Sequence, residues 1–86
     1  MIDYTMIPEH CRESMKAYIE IGQPVGSFLR AVLCDSLCGA FGQADSINRE
    51  HLLDYCDFLY LYAPGKCWGS HEKVEAWIAK GGLKGR

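Results

Sequence analysis

The sequence predicts an all-α fold, a single small domain of about four short helices, on three observations. Apolar residues recur at helical rather than alternating spacing: Cys11, Met15, Tyr18 and Ile19 stand at i, i+4, i+7 and i+8. Glycine and proline cluster at Gly22-Gln23-Pro24, at Ala63-Pro64-Gly65 and at Gly81-Gly82, cutting the chain into helix-length pieces. No segment alternates apolar and polar residues as a strand would.

The expected domain spans 1–86, with an irregular lead-in over 1–6 and a frayed basic tail over 84–86. Pro8 suits the first position of helix one, and Glu9 suits the positive end of its dipole. Arg12, Glu13, Lys16 and Glu20 take the face opposite the apolar stripe, and Gly22 stops the helix. The second piece, 24–41, is apolar at 28, 29, 31–34, 37, 38, 40 and 41, interrupted only by Arg30 and by Asp35-Ser36. It reads as one central helix buried nearly all round, capped by Gly26-Ser27 and stopped by Gly42. Helix three, over about 47–62 and capped by Asp45 or Ser46, carries only Asp54 and Asp57 as charges in its second half. Helices two and three are expected to form the core. Helix four follows the cap Ser70, with Val74, Trp77 and Ile78 as its buried stripe.

Composition bounds the function classes. Eighty-six residues make one domain, which buries about 60–65% of its extended surface. Hydrophobic content of 49% with ten aromatics points to a dense core or to an apolar face spent on a partner, a second copy first of all. Nine basic residues against eleven acidic ones leave no basic stripe for nucleic acid. No apolar run is long enough to span a membrane. The N-terminus lacks the basic and apolar regions of a signal peptide. Five cysteines without that context read as free thiols in a reducing cytoplasm.

Two Gly-Ser pairs, Gly26-Ser27 and Gly69-Ser70, each open a helix. Such a terminus presents backbone N–H groups and a hydroxyl to an anion. Arg30 lies one turn into the first, and Trp68 precedes the second as a stacking surface, with Tyr60 and Tyr62 nearby in sequence. Converged, they would suit a phosphorylated, ring-bearing molecule; the plainer reading is two ordinary serine caps. Cys34 and Cys38, at i and i+4, have a spacing that metal ligands use, but no second pair accompanies them and core packing is the expectation. Asp54 and Asp57 read as a solvated helix edge rather than as acid–base chemistry. His10, His51 and His71 sit in or beside first turns, where exposure is expected. No catalytic residue, metal or cofactor is assigned.

The run Tyr18-Ile19-Glu20, Gly22, Pro24-x-Gly26-Ser27-Phe28-Leu29-x-Ala31-Val32-Leu33, then Ala44-Asp45, Asn48, Ala63-Pro64-x-x-Cys67-Trp68-Gly69-Ser70, Trp77 and Gly81-Gly82-Leu83 resembles a group of small uncharacterised proteins encoded by bacterial phages and prophages. Where those relatives read Ser-Asn-Asp-Leu, this chain has Cys34-Asp35-Ser36-Leu37. The resemblance implies a setting: a non-catalytic counter-defence protein acting in the cytoplasm of the bacterial host. Its leading form is a homo-oligomer that sequesters a cyclic or phosphorylated nucleotide signal at Gly26, Ser27, Arg30, Trp68, Gly69 and Ser70, with Tyr60 and Tyr62 stacking. A second form docks an apolar, tyrosine-rich surface on a host defence protein such as a CRISPR effector. A third is a phage accessory or housekeeping interaction protein.

Overall fold

The computed structural model describes residues 2–85. Met1 and Arg86, the ends of the expected lead-in and tail, lie outside them. The chain is all-helical: α1 (Glu9–Ile21), α2 (Ser27–Leu33), α3 (Leu37–Gln43), α4 (Ser46–Glu50), α5 (Leu52–Leu61) and α6 (His71–Lys80). Single 3-10 turns occupy Tyr4–Met6, Gly65–Cys67 and Gly82–Lys84. There is no strand among the described residues.

Helix α1 buries the four residues that its spacing singles out, Cys11, Met15, Tyr18 and Ile19, and Gly22 closes it in the left-handed conformation. The stretch expected as one buried helix over 24–41 is instead two helices joined by a tight reversal. Ser36 N–H bonds to Ala31 C=O (2.9 Å) and Asp35 N–H to Val32 C=O (3.1 Å), while Asp35 takes φ +63°. This is the paired-bond helix stop that usually uses glycine; aspartate is among the few other residues that tolerate it. The polar pair Asp35-Ser36 therefore ends one helix and begins the next. Helix α3 folds back on α2, and of its seven residues only Ala40 is fully buried.

The expected helix over 47–62 is also divided. Asp45 caps α4, accepting from Asn48 N–H at 2.7 Å, and a kink at His51 (φ −111°, ψ 16°) starts α5. Among the described residues there are thus six α-helices rather than four. The core is correspondingly shared: α1 contributes Met15, Tyr18 and Ile19, α2 Phe28, Leu29 and Leu33, α5 Tyr55, Phe58 and Leu59, and α6 Val74 and Trp77. Short 3-10 turns occupy the described parts of both terminal segments. Asp3 caps the first 3-10 turn, and Lys84 lies in the last one, 3.8 Å from Glu20.

Among the described residues the buried polar side-chain groups are paired, as a core this small demands, with the Tyr4 hydroxyl as the exception. Tyr18 Oη donates to Cys67 C=O (2.6 Å), and Trp77 Nε1 donates to Tyr18 C=O (3.0 Å). Tyr55 Oη donates to Asn48 Oδ1 (2.7 Å), and Asn48 Nδ2 reaches Cys11 Sγ (3.7 Å). Burial raises the Tyr18 and Tyr55 hydroxyls well above the usual range, so both remain donors at physiological pH.

The ends of α1 and α6 meet backbone to backbone. A Cβ at Gly82 would fall 2.5 Å from Gly22 N and 2.7 Å from Ile19 O, and Gly82 has φ +73°. Gly82→Ala is therefore expected to cost roughly 3 kcal/mol or more. In thermal denaturation that lowers Tm by more than about 10 °C. Gly42 lies inside α3 with nothing within 4 Å of its missing Cβ. Gly42→Ala is expected to raise Tm, by the roughly 0.8–1 kcal/mol difference in helix propensity. Equal effects of the two substitutions would contradict this packing.

Candidate functional site

The two Gly-Ser pairs begin helices as the sequence suggests, but each is already engaged or stands alone. Helix α6 starts where α2 ends: Gly69 N–H donates to Leu33 C=O at 2.8 Å. Leu33 closes the seven-residue helix that Gly26 caps, so Gly26-Ser27 lies about 10 Å away along that helix. The structure does not bring the two termini into one cradle.

The groups read as anion ligands have other partners. Ser70 Oγ accepts from Lys73 N–H (3.1 Å), the ordinary capping bond. Gly69 is required by its φ of +119°, and its N–H is the one held by Leu33. The Arg30 guanidinium bonds the Glu75 carboxylate and lies 3.1 Å from His71 Nδ1. The bond from Arg30 holds the Glu75 carboxyl below its usual range. Gly26 and Ser27 remain exposed, with no side-chain cap at that terminus.

Trp68 is placed by backbone anchors on both sides. The carbonyl of Cys67 is fixed by Tyr18 Oη, and the N–H of Gly69 by Leu33. Its half-buried ring meets the Tyr60 ring edge-on at 5.1 Å between centroids. Tyr60 is 79% exposed, Leu61 68% and Tyr62 37%. Tyr62 leans on buried Phe58. The end of α5 therefore exposes three consecutive large side chains, of which Tyr60 meets the fixed tryptophan and Tyr62 meets Phe58.

Trp68 and Tyr60 also close one end of an apolar groove of about 150 Å3 between α3 and α5. Val32, Ala40, Tyr55 and Leu59, all buried, form its floor; Leu37 and Cys56 stand at its sides, with Asp35 and Ser36 at the turn. Sequence reasoning does not reach this groove, because one buried helix over 24–41 leaves no room for it. The available signal was Asp35-Ser36, a polar pair and helix cap in the middle of an apolar run.

The remaining candidates separate. Cys34 ends α2 and Cys38 lies in α3, so the expected i, i+4 face does not exist, and Cys38 is exposed rather than core. All five cysteines are free. Cys11 and Cys67 are buried, and burial pushes the Cys67 thiol up to about 12. Tyr55 is fully buried. Asp54 pairs with His51 (2.6 Å), leaving Asp57 exposed, and His10 pairs with Asp45 (3.1 Å). Among the described residues no three His, Cys, Asp or Glu side chains are grouped to hold a metal ion. No helix among them is long and apolar enough to cross a membrane.

Two measurements follow from these environments. Under native conditions at low micromolar concentration, iodoacetamide is expected to modify Cys38 and Cys56 first, and Cys11 and Cys67 only on unfolding. Early modification of Cys67 would contradict its burial. The Asp45 carboxyl is held below its usual value by the Asn48 N–H bond and then by His10. Its stabilisation is therefore present above the unfolded carboxylate pKa of about 3.9 and is lost as pH falls through the lower folded value. The Tm gap between the wild type and Asp45→Ala should be open at pH about 5 and close toward pH about 3.

No protein-family model, no curated protein and no solved structure matches the chain, so its function has to be read from the groove, the aromatic end of α5 and the residues that hold them.

Proposed function

We propose that this chain is a non-catalytic binding protein whose target is another protein. The observation that carries this reading is the uncharged end of α5, where Tyr60, Leu61 and Tyr62 are exposed and Tyr60 packs on the anchored Trp68. Tyrosine and tryptophan are the residues that interfaces concentrate, because one rigid ring supplies a large contact at small entropic cost. Trp68 is pre-positioned by two backbone bonds, which removes part of the ordering cost of association. The phage resemblance supplies the setting: a counter-defence protein that blocks a host defence complex in the bacterial cytoplasm.

Sequestration of a nucleotide signal has less support. Of its expected ligands, Arg30 is paired with Glu75, Ser70 caps α6, and Gly69 N–H is bonded to Leu33. An anion at Gly26-Ser27 would find Gly69 and Ser70 at the other end of α2 and Arg30, one turn away, already bonded to Glu75.

The test combines function and ligand binding. In cells carrying a defence system that the protein counters, the wild type restores phage plating, and Leu61→Asp and Tyr60→Ala lose restoration while keeping the wild-type Tm. Full restoration by both variants would remove this surface from the mechanism. In parallel, a thermal-shift panel of cyclic and phosphorylated nucleotides is expected to stay flat. A ligand at a hundred times its Kd adds about 2.7 kcal/mol, a shift of roughly 10–20 °C in a domain of this size. A shift of that size would replace the protein-docking reading with sequestration.

A further inference from the structure

The groove between α3 and α5 has a sided chemistry. Its floor is buried core, Val32, Ala40 and Leu59 among it, so its shape is set by packing. No basic residue lines it, and its one charged residue is Asp35. Trp68 and Asp35 lie at the same end, because the bond from Gly69 N–H to Leu33 C=O (2.8 Å) holds the tryptophan against the end of α2. Tyr60 meets the Trp68 ring at an interplanar angle of 72°, so the two rings form a corner there. The turn does not explain Asp35, since at φ +63° glycine is the usual residue. Asp45, Asp54 and Glu75 each have an ion-pair partner, whereas Asp35 has none among the described residues.

We infer that the groove receives one arginine side chain of the target protein, with its stem along the floor and its guanidinium against Trp68, Tyr60 and Asp35. The inference rests on the docking reading and names the residue that this surface takes. Charge, shape and size select the occupant. An apolar trough that ends in a carboxylate and two aromatic rings complements a side chain that is apolar along its stem and cationic at its tip. A cation over a tryptophan or tyrosine face is attracted by the ring quadrupole. Arginine suits the site better than lysine, because its planar, weakly hydrated guanidinium stacks on a ring and pairs with a carboxylate. An uncharged anchor would fill the trough but cover Asp35 without a counter-charge, which is unfavourable. The neighbouring cation of this chain, Arg30, is bonded to Glu75. The groove volume of about 150 Å3 is that of an apolar cavity that accepts one benzene ring, a group close in bulk to an arginine side chain.

The test uses the intact protein with N-acetyl-arginine methylamide as probe and its neutral isostere, N-acetyl-citrulline methylamide, as control. Binding is followed by the fluorescence of half-buried Trp68. It is followed independently by the iodoacetamide rate at Cys56, which lines the groove, against exposed Cys38, which does not. The arginine probe is expected to saturate with a Kd on the order of 1 mM, changing the fluorescence and slowing Cys56 but not Cys38. The citrulline probe is expected to bind about fivefold more weakly or worse, and Asp35→Asn to weaken the arginine probe by about fivefold. Asparagine also tolerates the left-handed turn, so this variant removes the charge and keeps the backbone. A wild type that shows no saturable binding of the arginine probe overturns the inference, and so does equal affinity for the two probes. The second comparison needs no variant, so it stands even where Asp35→Asn fails to fold. Unchanged affinity in a folded Asp35→Asn protein also overturns it. Restored plating by both α5 variants counts against the docking surface, whereas a wild type indifferent to the arginine probe counts against the groove alone.

Discussion

The fold depends most directly on Tyr18. Its ring is fully buried, its hydroxyl holds the carbonyl of Cys67, and its own carbonyl receives the indole N–H of Trp77. One residue thus joins α1 to the segment before α6 and to α6 itself. Each of these bonds satisfies a group that would otherwise be buried without a partner, at a cost of about 1–3 kcal/mol. Burial also keeps the phenol protonated, so the link does not open in the physiological pH range.

What Tyr18 organises is the approach of 67–70 to α2. With the Cys67 carbonyl fixed, Gly69 closes on Leu33, α6 begins at the C-terminal end of α2, and Trp68 is left at the rim of the groove. The residues that look like an anion site are consumed in building this junction. Glycine at 69 provides a backbone angle, Ser70 provides a cap, and Arg30 ties α2 to α6 through Glu75. Sequence features of an anion-binding helix terminus and of a structural helix junction are alike, because both use small residues and a hydroxyl where N–H groups lack partners.

The opposite ends of α1 and α6 are closed by a different device. Gly22, the stop of α1, and Gly82, which follows the α6 stop at Gly81, are both left-handed and lie against each other with no space for a side chain. The two junctions leave α3 as the loosely covered element, packed mainly on α2 and uncharged toward solvent. A domain this small does not have enough chain to cover all its apolar surface. Leu37 and Phe41 on α3 and Leu53, Tyr60 and Leu61 on α5 are left exposed, with Ile21, Ile47 and Leu83 exposed elsewhere.

Local chemistry is enough to give the helical class, the α1 stripe of Cys11, Met15, Tyr18 and Ile19, the stops at Gly22 and within Gly81-Gly82, the cap at Ser70, and a cap at Asp45 or Ser46 that the structure assigns to Asp45. Each follows from local chemistry: helical periodicity, glycine's freedom in the left-handed region, and a side-chain oxygen three residues before an open N–H. That Asp35-Ser36 divides the central stretch is a result of packing, since a polar pair in an apolar run suits either a continuous helix or a reversal. Packing also decided which apolar residues are core. Cys38 and Phe41 share the composition of the buried helix but lie on its returning half, whereas Tyr55 is drawn inside because Asn48 meets its hydroxyl. The groove and the distance between the Gly-Ser pairs belong to the same class, because they depend on which helix ends meet, and no local pattern encodes that.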